Sequence, residues 1–370
     1  MKKTTFTFAA VLVLALPLLA QNANPTPFVA PTSADITWTC PPGFQGQQLN
    51  VYNWTTYIGN DTLADFERLC GVTVVYDNYD SNESLIARLR QGNPGYDVAF
   101  PTEYAVLILA REGLLQTIDM NKIPNYATNI PKRWKGLFHD PNEQYSVPYL
   151  WGSAGIGYNV NKIAEVTSWN DLFNYNGPTA WFGDPRNMMS VGLLMLGHDP
   201  NSTNPDEIRA ARDYLLEKAA NVVSFHSDDG QAQLEAGNVD MVVEYDGDVY
   251  TMMAECQCGD FDYAIPQEGA PLNVAAMVIP TGAQNPALAH VFIDYILDPV
   301  VGAMIVNDTS YPGLNQAAID AGLISPELLA TSVYQLSEEA FARMYFLQDV
   351  GEAEQLYNDA WDEIRILAGQ

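Results

Sequence analysis

Several short segments of this 370-residue chain combine aromatic rings with carboxylates or hydroxyls. They are Tyr52-Asn-Trp54-Thr55-Thr-Tyr57, Phe100-Pro-Thr102-Glu-Tyr104, Trp181-Phe-Gly-Asp184, Glu244-Tyr245-Asp246-Gly-Asp248 and Ser310-Tyr311-Pro-Gly. Ring faces attract cations through their quadrupole, at ~0.5–2 kcal/mol each depending on desolvation. Carboxylates give charge-assisted hydrogen bonds to ammonium groups. Rings stacked along a methylene chain, with acids at its ends, suit an aliphatic amine. The alternative is that an aromatic content of 11% simply fills cores, since tyrosines and tryptophans often pack structurally.

Signatures of covalent or metal chemistry are missing. His139, His198, His226 and His290 are scattered, with no His-Glu-x-x-His arrangement. Gly155-Ile-Gly157 continues to Val160 where a dinucleotide loop needs glycine. Trp151-Gly-Ser153-Ala-Gly155 lacks the spacing of a nucleophile elbow. Cys256-Gln257-Cys258 is spaced more tightly than a zinc-ligand pair, with no His close by in sequence. No cofactor or metal is therefore expected. The enzymatic alternative is Asp246 and Asp248 as the acid and base of a secreted carbohydrate hydrolase; residues two apart often point apart on a strand.

The elements that must carry these segments alternate. A strand at 49–52 precedes a helix that Asp61 or Thr62 can cap, with Leu63, Phe66 and Leu69 on its apolar face and Gly71 as its stop. A β-branched strand at 72–76 follows, then a helix from Ser81 to Gly92, a strand at 96–100 and a helix over Glu103–Arg111. A second set comprises strands at 179–182, 239–245 and 273–279. Its helices are expected at 187–196, 205–220, after Ser227-Asp228, from Asp246, at 286–297 and at about 351–367. Such alternation implies mostly parallel sheets covered on both faces. Ligands of such sheets sit outside the carboxyl ends of the strands, which is where the ring-and-acid segments fall.

Composition agrees. With 48% hydrophobic and 17% charged residues, the chain can bury cores, and its length suits two domains. The 45 Asp and Glu against 17 Lys and Arg, net −28, exclude nucleic acid as a partner. Met1-Lys2-Lys3 followed by an apolar run to Ala20 reads as a signal peptide cleaved near Ala20. Prolines 25, 27, 31, 41 and 42 make 21–46 an extended tether. Four cysteines suit an oxidising compartment with three possible connectivities, and Cys40–Cys70 with Cys256–Cys258 is the favoured one.

In order and spacing, the chain resembles the periplasmic spermidine/putrescine-binding proteins of ATP-driven (ABC) importers. The matching segments begin with Tyr52-Asn-Trp54-Thr55-x-Tyr57, Tyr79-x-Ser81-Asn82-Glu83 and Tyr96-Asp97-Val98 through Pro101-Thr102-x-Tyr104. They continue with Glu112-Gly113, Ile118-Asp119, Tyr145-Ser-Val-Pro148-Tyr-x-Trp151-Gly152, Thr167-Ser168-Trp169 and Ser310-Tyr311-Pro312. The resemblance implies an α/β, two-lobed periplasmic binding protein fold of type II, each lobe a mostly parallel sheet flanked by helices, with crossing hinge segments. Lobe 1 would span 47–155 and 275–315, lobe 2 156–274 and 316–370. It implies a periplasmic monomer that is not an enzyme and that delivers a small cationic amine to importer permease subunits. Trp54, Thr55, Tyr57, Thr102 and Tyr104 look like the first lobe's wall. Asp184, Tyr245 (where the family usually has tryptophan), Asp246, Asp248 and Tyr311 complete the ligand set. Departures fall at Asn273 and Ala275, where the family has an aromatic and an amine-holding aspartate, at Leu347 for a glutamine, and at Asn187 for an acid. Asp246 or Glu268 could replace the missing charge. A solute with a carboxylate, such as an amino acid or other zwitterion, would instead pair with Arg186.

Overall fold

A computed structural model describes residues 27–227 and 229–369. The leader expected at 1–20 lies outside them. Among the described residues one ten-stranded sheet runs through the molecule. Its strands are β1 (Gln48–Trp54), β2 (Thr73–Tyr79), β3 (Val98–Ala99), β4 (Ser146–Asn159), β5 (Thr179–Phe182), β6 (Val222–His226), β7 (Met241–Tyr245), β8 (Phe261–Ala264), β9 (Pro271–Val278) and β10 (Tyr345–Phe346). The order is β2-β1-β3-β9-β4-β7-β5-β6, with β10 beside β9 and β8 beside β4.

Two parallel cores sit at the ends of this order. β2, β1 and β3 are mutually parallel, as are β7, β5 and β6. Between them β9 and β4 run antiparallel to each other and to the core strands they adjoin, β3 and β7. Each core is therefore a helix-covered lobe, and the antiparallel pair is the seam. One hydrophobic cluster gathers Leu49, Val51, Phe66, Val98 and Phe100, and another gathers Trp169, Trp181, Met188, Tyr357 and Trp361.

The seam strand β4 is 14 residues long and buried along nearly all its length. Ser146–Ser153 pairs with β9, and 154–159 pairs with β7 or β8, so one strand belongs to both lobes. Gly155, which faintly suggested a dinucleotide loop, is explained here. A Cβ on it would lie 2.6 Å from the Ala264 carbonyl oxygen, so glycine lets β8 pair closely. The expected lobe boundaries at 155/156 and 274/275 fall on β4 and β9. The one at 315/316 needs correcting: helix Gln316–Asp320 packs against Pro124–Asn129 and Pro299–Thr309 of the first lobe.

The N-terminal tether also needs correcting from about Ser33 onward. The Trp38 indole donates to Asp294 Oδ2 at 3.0 Å and meets Tyr295 edge-on at 5.1 Å. Cys40 is disulfide-bonded to Cys70, the last residue of helix Thr62–Cys70, and Cys256 is bonded to Cys258. Prolines keep the backbone extended and without periodicity, but a few side chains fasten it to the first lobe. No single helix among the described residues is long and apolar enough to cross a membrane.

Candidate functional site

A cleft of about 170 Å³ lies over the seam. Its first-lobe wall begins where the parallel strands end. β1 ends at Trp54, and the turn that follows holds Thr56 in the left-handed region (φ 53°), bringing Thr55 and Tyr57 onto the cleft. Trp54 is fixed by its indole N–H, which donates to the Phe100 carbonyl at 2.8 Å, and by the Tyr79 ring at 4.7 Å. After β3, Thr102 is clamped by Asn82, which donates to Thr102 Oγ1 and accepts its N–H at 2.8 and 3.1 Å. Tyr104 donates to Glu83 at 2.9 Å. Tyr311 stands edge-on to Tyr57 at 4.7 Å and donates to Asp248 Oδ2 at 2.8 Å.

The second-lobe wall is built the same way. Asp184 caps helix Pro185–Met195, accepting the Arg186 N–H at 2.7 Å and the Asn187 side-chain N–H at 2.6 Å. It faces the open cleft, yet the enclosing walls raise its carboxyl above the ordinary range against those two donors. Tyr245 ends β7 with its hydroxyl 3.3 Å from Asn187 Nδ2. The hydroxyls of Tyr57, Tyr104, Tyr245 and Tyr311 are pushed well above 10, first by burial and then by nearby carboxylates, so they stay neutral.

Of the ten residues expected in a ligand set, Trp54, Thr55, Tyr57, Thr102, Tyr104, Asp184, Tyr245, Asp248 and Tyr311 line this one cleft. Asp246 does not line it. It is fully buried behind the wall, where Oδ2 accepts the Ser153 N–H and Oγ–H at 3.0 and 3.1 Å and Oδ1 accepts the Gly247 N–H. Burial holds its carboxyl up at about 7 against those bonds. Its place at the first turn of helix Asp246–Cys256, beside Asp248, gave no sign of which would turn inward. Glu268 is engaged elsewhere, with Ser168 Oγ and the Trp169 N–H. The departures Asn187, Asn273, Ala275 and Leu347 do line the cleft.

Asp80, Phe182 and Ser227 also line the cleft and were not singled out. Asp80 and Ser227 immediately follow β2 and β6, so the strand-end rule that found the others would have found them. Arg186 reaches the cleft wall with both terminal nitrogens engaged: NH1 donates to Glu354 at 3.0 Å, NH2 to the Gln348 carbonyl at 2.9 Å, and the group stacks over Tyr357, while Nε is buried without a partner. Among the described residues no group of three or more His, Cys, Asp or Glu could hold a metal ion.

The cleft depends on one close approach across the lobes. A Cβ on Gly247 would overlap the Tyr311 ring. Gly247→Ala is expected to displace that ring and to cost ~1–3 kcal/mol, as overpacking does; a lower urea midpoint checks it, and an unchanged midpoint would show the ring moves freely.

Residues 61–331 match the family model described as bacterial extracellular solute-binding protein. The putrescine-binding periplasmic protein of Pseudomonas aeruginosa is 31% identical over 341 residues, covering 86% of this chain and 91% of that one. The spermidine/putrescine-binding periplasmic protein of Escherichia coli is 32% identical over 323 residues, with the same coverage. The crystal structure of a spermidine/putrescine ABC transporter substrate-binding protein from Streptococcus pneumoniae superposes with a TM-score of 0.78 at 27% identity, covering 87% of this chain and 100% of that one.

Proposed function

The chain belongs to the family of bacterial extracellular solute-binding proteins, and from that premise we propose that it is the polyamine receptor of an ABC importer. It binds a putrescine- or spermidine-like cation between its lobes and presents it to membrane permease subunits, with no catalytic turnover. It works outside the cytoplasm as a monomer, after removal of a leader near Ala20. The observation that carries the reading is the convergence of half-buried rings from both lobes with Asp184 and Asp248 in one cleft. Rings of this kind attract a cation and exclude water around its methylenes, while the two acids give it charged acceptors.

The rivals fit less well. A zwitterion needs a free cation for its carboxylate, and Arg186 is already paired with Glu354. A carboxylate-pair hydrolase needs two acids on one substrate, whereas Asp246 is turned into the seam and Asp248 into the cleft. The ligand acts by bridging the lobes, so that the closed form gains population and is selected by the permease.

A thermal-shift titration tests the reading. A ligand bound only by the native state raises the melting temperature by mass action. Putrescine or spermidine is expected to raise it and to be recovered unchanged, whereas amino acids and sugars are not. A shift with amino acids alone would reject the polyamine assignment.

A further inference from the structure

The four cysteines form two bonds of different kinds. Cys40–Cys70 fastens the N-terminal segment to helix Thr62–Cys70, and Cys70 is buried in the hydrophobic cluster that holds Phe66. Cys256–Cys258 joins nothing distant. Cys256 is the last residue of helix Asp246–Cys256, and its partner lies two residues on, in the exposed stretch Gln257–Gly259. Closing so small a ring removes little freedom from the unfolded chain, so this bond adds less to stability than the longer-range one. Its reason for being there is chemical.

The surroundings suit a bond that opens. Cys256 is half-buried and Cys258 exposed, so an incoming thiolate meets Cys258 first. The Cys258 N–H donates to Cys256 Sγ at 3.3 Å, which steadies that sulfur as it leaves. The Met253 carbonyl lies 3.7 Å from the same sulfur and can accept its S–H once the bond is broken. Gln257, enclosed by the ring, stands in the left-handed region (φ 46°), which a residue with a side chain rarely adopts. Exposed or strained disulfides are the labile ones.

We propose that Cys256 and Cys258 form a reversible two-electron redox site that exchanges with an external dithiol, whereas Cys40–Cys70 is structural. One thiolate of the dithiol attacks Cys258 Sγ. The Cys256–Cys258 bond breaks, and Cys256 leaves with the electron pair and takes up a proton. The second thiolate of the dithiol then attacks its own sulfur in the mixed disulfide and releases Cys258, which is protonated in turn. The protein has gained two electrons and two protons, and the dithiol has become a disulfide. An oxidised dithiol reverses both steps. The site is independent of the polyamine reading, since neither cysteine lines the cleft.

The test is a redox titration of the folded protein with mixtures of reduced and oxidised dithiothreitol, followed by alkylation and peptide mass mapping. Cys256 and Cys258 are expected to be alkylated at a reduced-to-oxidised ratio about tenfold or more below that needed for Cys40 and Cys70. Protein opened only at Cys256–Cys258 should melt within about 2 °C of the oxidised form, and oxidised dithiothreitol should restore the bond. Joint replacement Cys256→Ser and Cys258→Ser should likewise melt with wild type, which separates a redox site from a structural bridge. Opening of both bridges at one ratio would overturn the proposal. So would a serine double variant destabilised as far as the joint Cys40→Ala and Cys70→Ala replacement, or a pair that stays reduced in oxidised dithiothreitol.

Discussion

Replacing Asp184 or Asp248 by alanine is expected to weaken putrescine binding roughly 10- to 100-fold. The estimate follows from a charge-assisted hydrogen bond of ~1.5–3 kcal/mol, with each 1.4 kcal/mol worth about a factor of ten. The two positions fail differently. Asp184 is also a helix cap, since it accepts the Arg186 N–H, so alanine removes both a ligand charge and a cap worth ~1 kcal/mol. Asp184→Asn keeps an oxygen for that N–H and removes only the charge. It should therefore lose affinity as alanine does while melting closer to wild type. Asp248→Ala releases the Tyr311 hydroxyl as well, which frees the ring that crosses to Tyr57. Calorimetry on the three variants distinguishes these routes. Unchanged affinity in both alanine variants would reject the cleft as the binding site.

The second large effect is on stability. The Cys40–Cys70 bridge closes a loop with a sequence separation of 30. In the chain-entropy model such a loop contributes about 3–4 kcal/mol by restricting the unfolded chain. Joint replacement Cys40→Ala and Cys70→Ala should lower the free energy of unfolding by about that amount. Putrescine affinity should hold, because neither sulfur touches the cleft. Urea denaturation of the double variant is the measurement. A loss below about 1 kcal/mol would mean that Trp38, through Asp294 and Tyr295, holds the segment unaided and that the loop entropy is already spent in a compact unfolded state.

Much of the cleft was legible because it obeys a local rule. Trp54, Thr102, Asp184 and Tyr245 stand at or just beyond the ends of strands in the two parallel cores; each core puts its own strand ends on one side, and both sets of ends meet at the cleft. The helix Glu103–Arg111 was readable to the residue because an unbroken run of helix-compatible apolar residues lies between Pro101 and Gly113. Other features depended on tertiary direction that no local pattern encodes. Asp246 and Asp248 share one helical turn, yet the first binds the seam through Ser153 and the second faces the cleft. Glu103 is an acidic first-turn residue in sequence; the passage of β9 over it, with the Val274 N–H donated to Oε2, makes it a buried group. The long strand β4 escaped notice because Pro148 and the glycines at 152, 155 and 157 break any β-propensity signal, although the strand is fixed by partners on both sides. Trp38 was lost in a proline-rich context that says extended and says nothing about docking.

That shared strand has a mechanical implication. Because a continuous, doubly paired ribbon crosses from one half to the other, relative rotation of the halves must be taken up as twist and bend distributed over several peptide units rather than as free swivelling of a slack connector. Such a torsion element has a restoring force, and it confines the open form to a narrow family of orientations. Opening and closing should then behave as a single elastic coordinate, along which the guest needs to supply only the difference between two nearby postures.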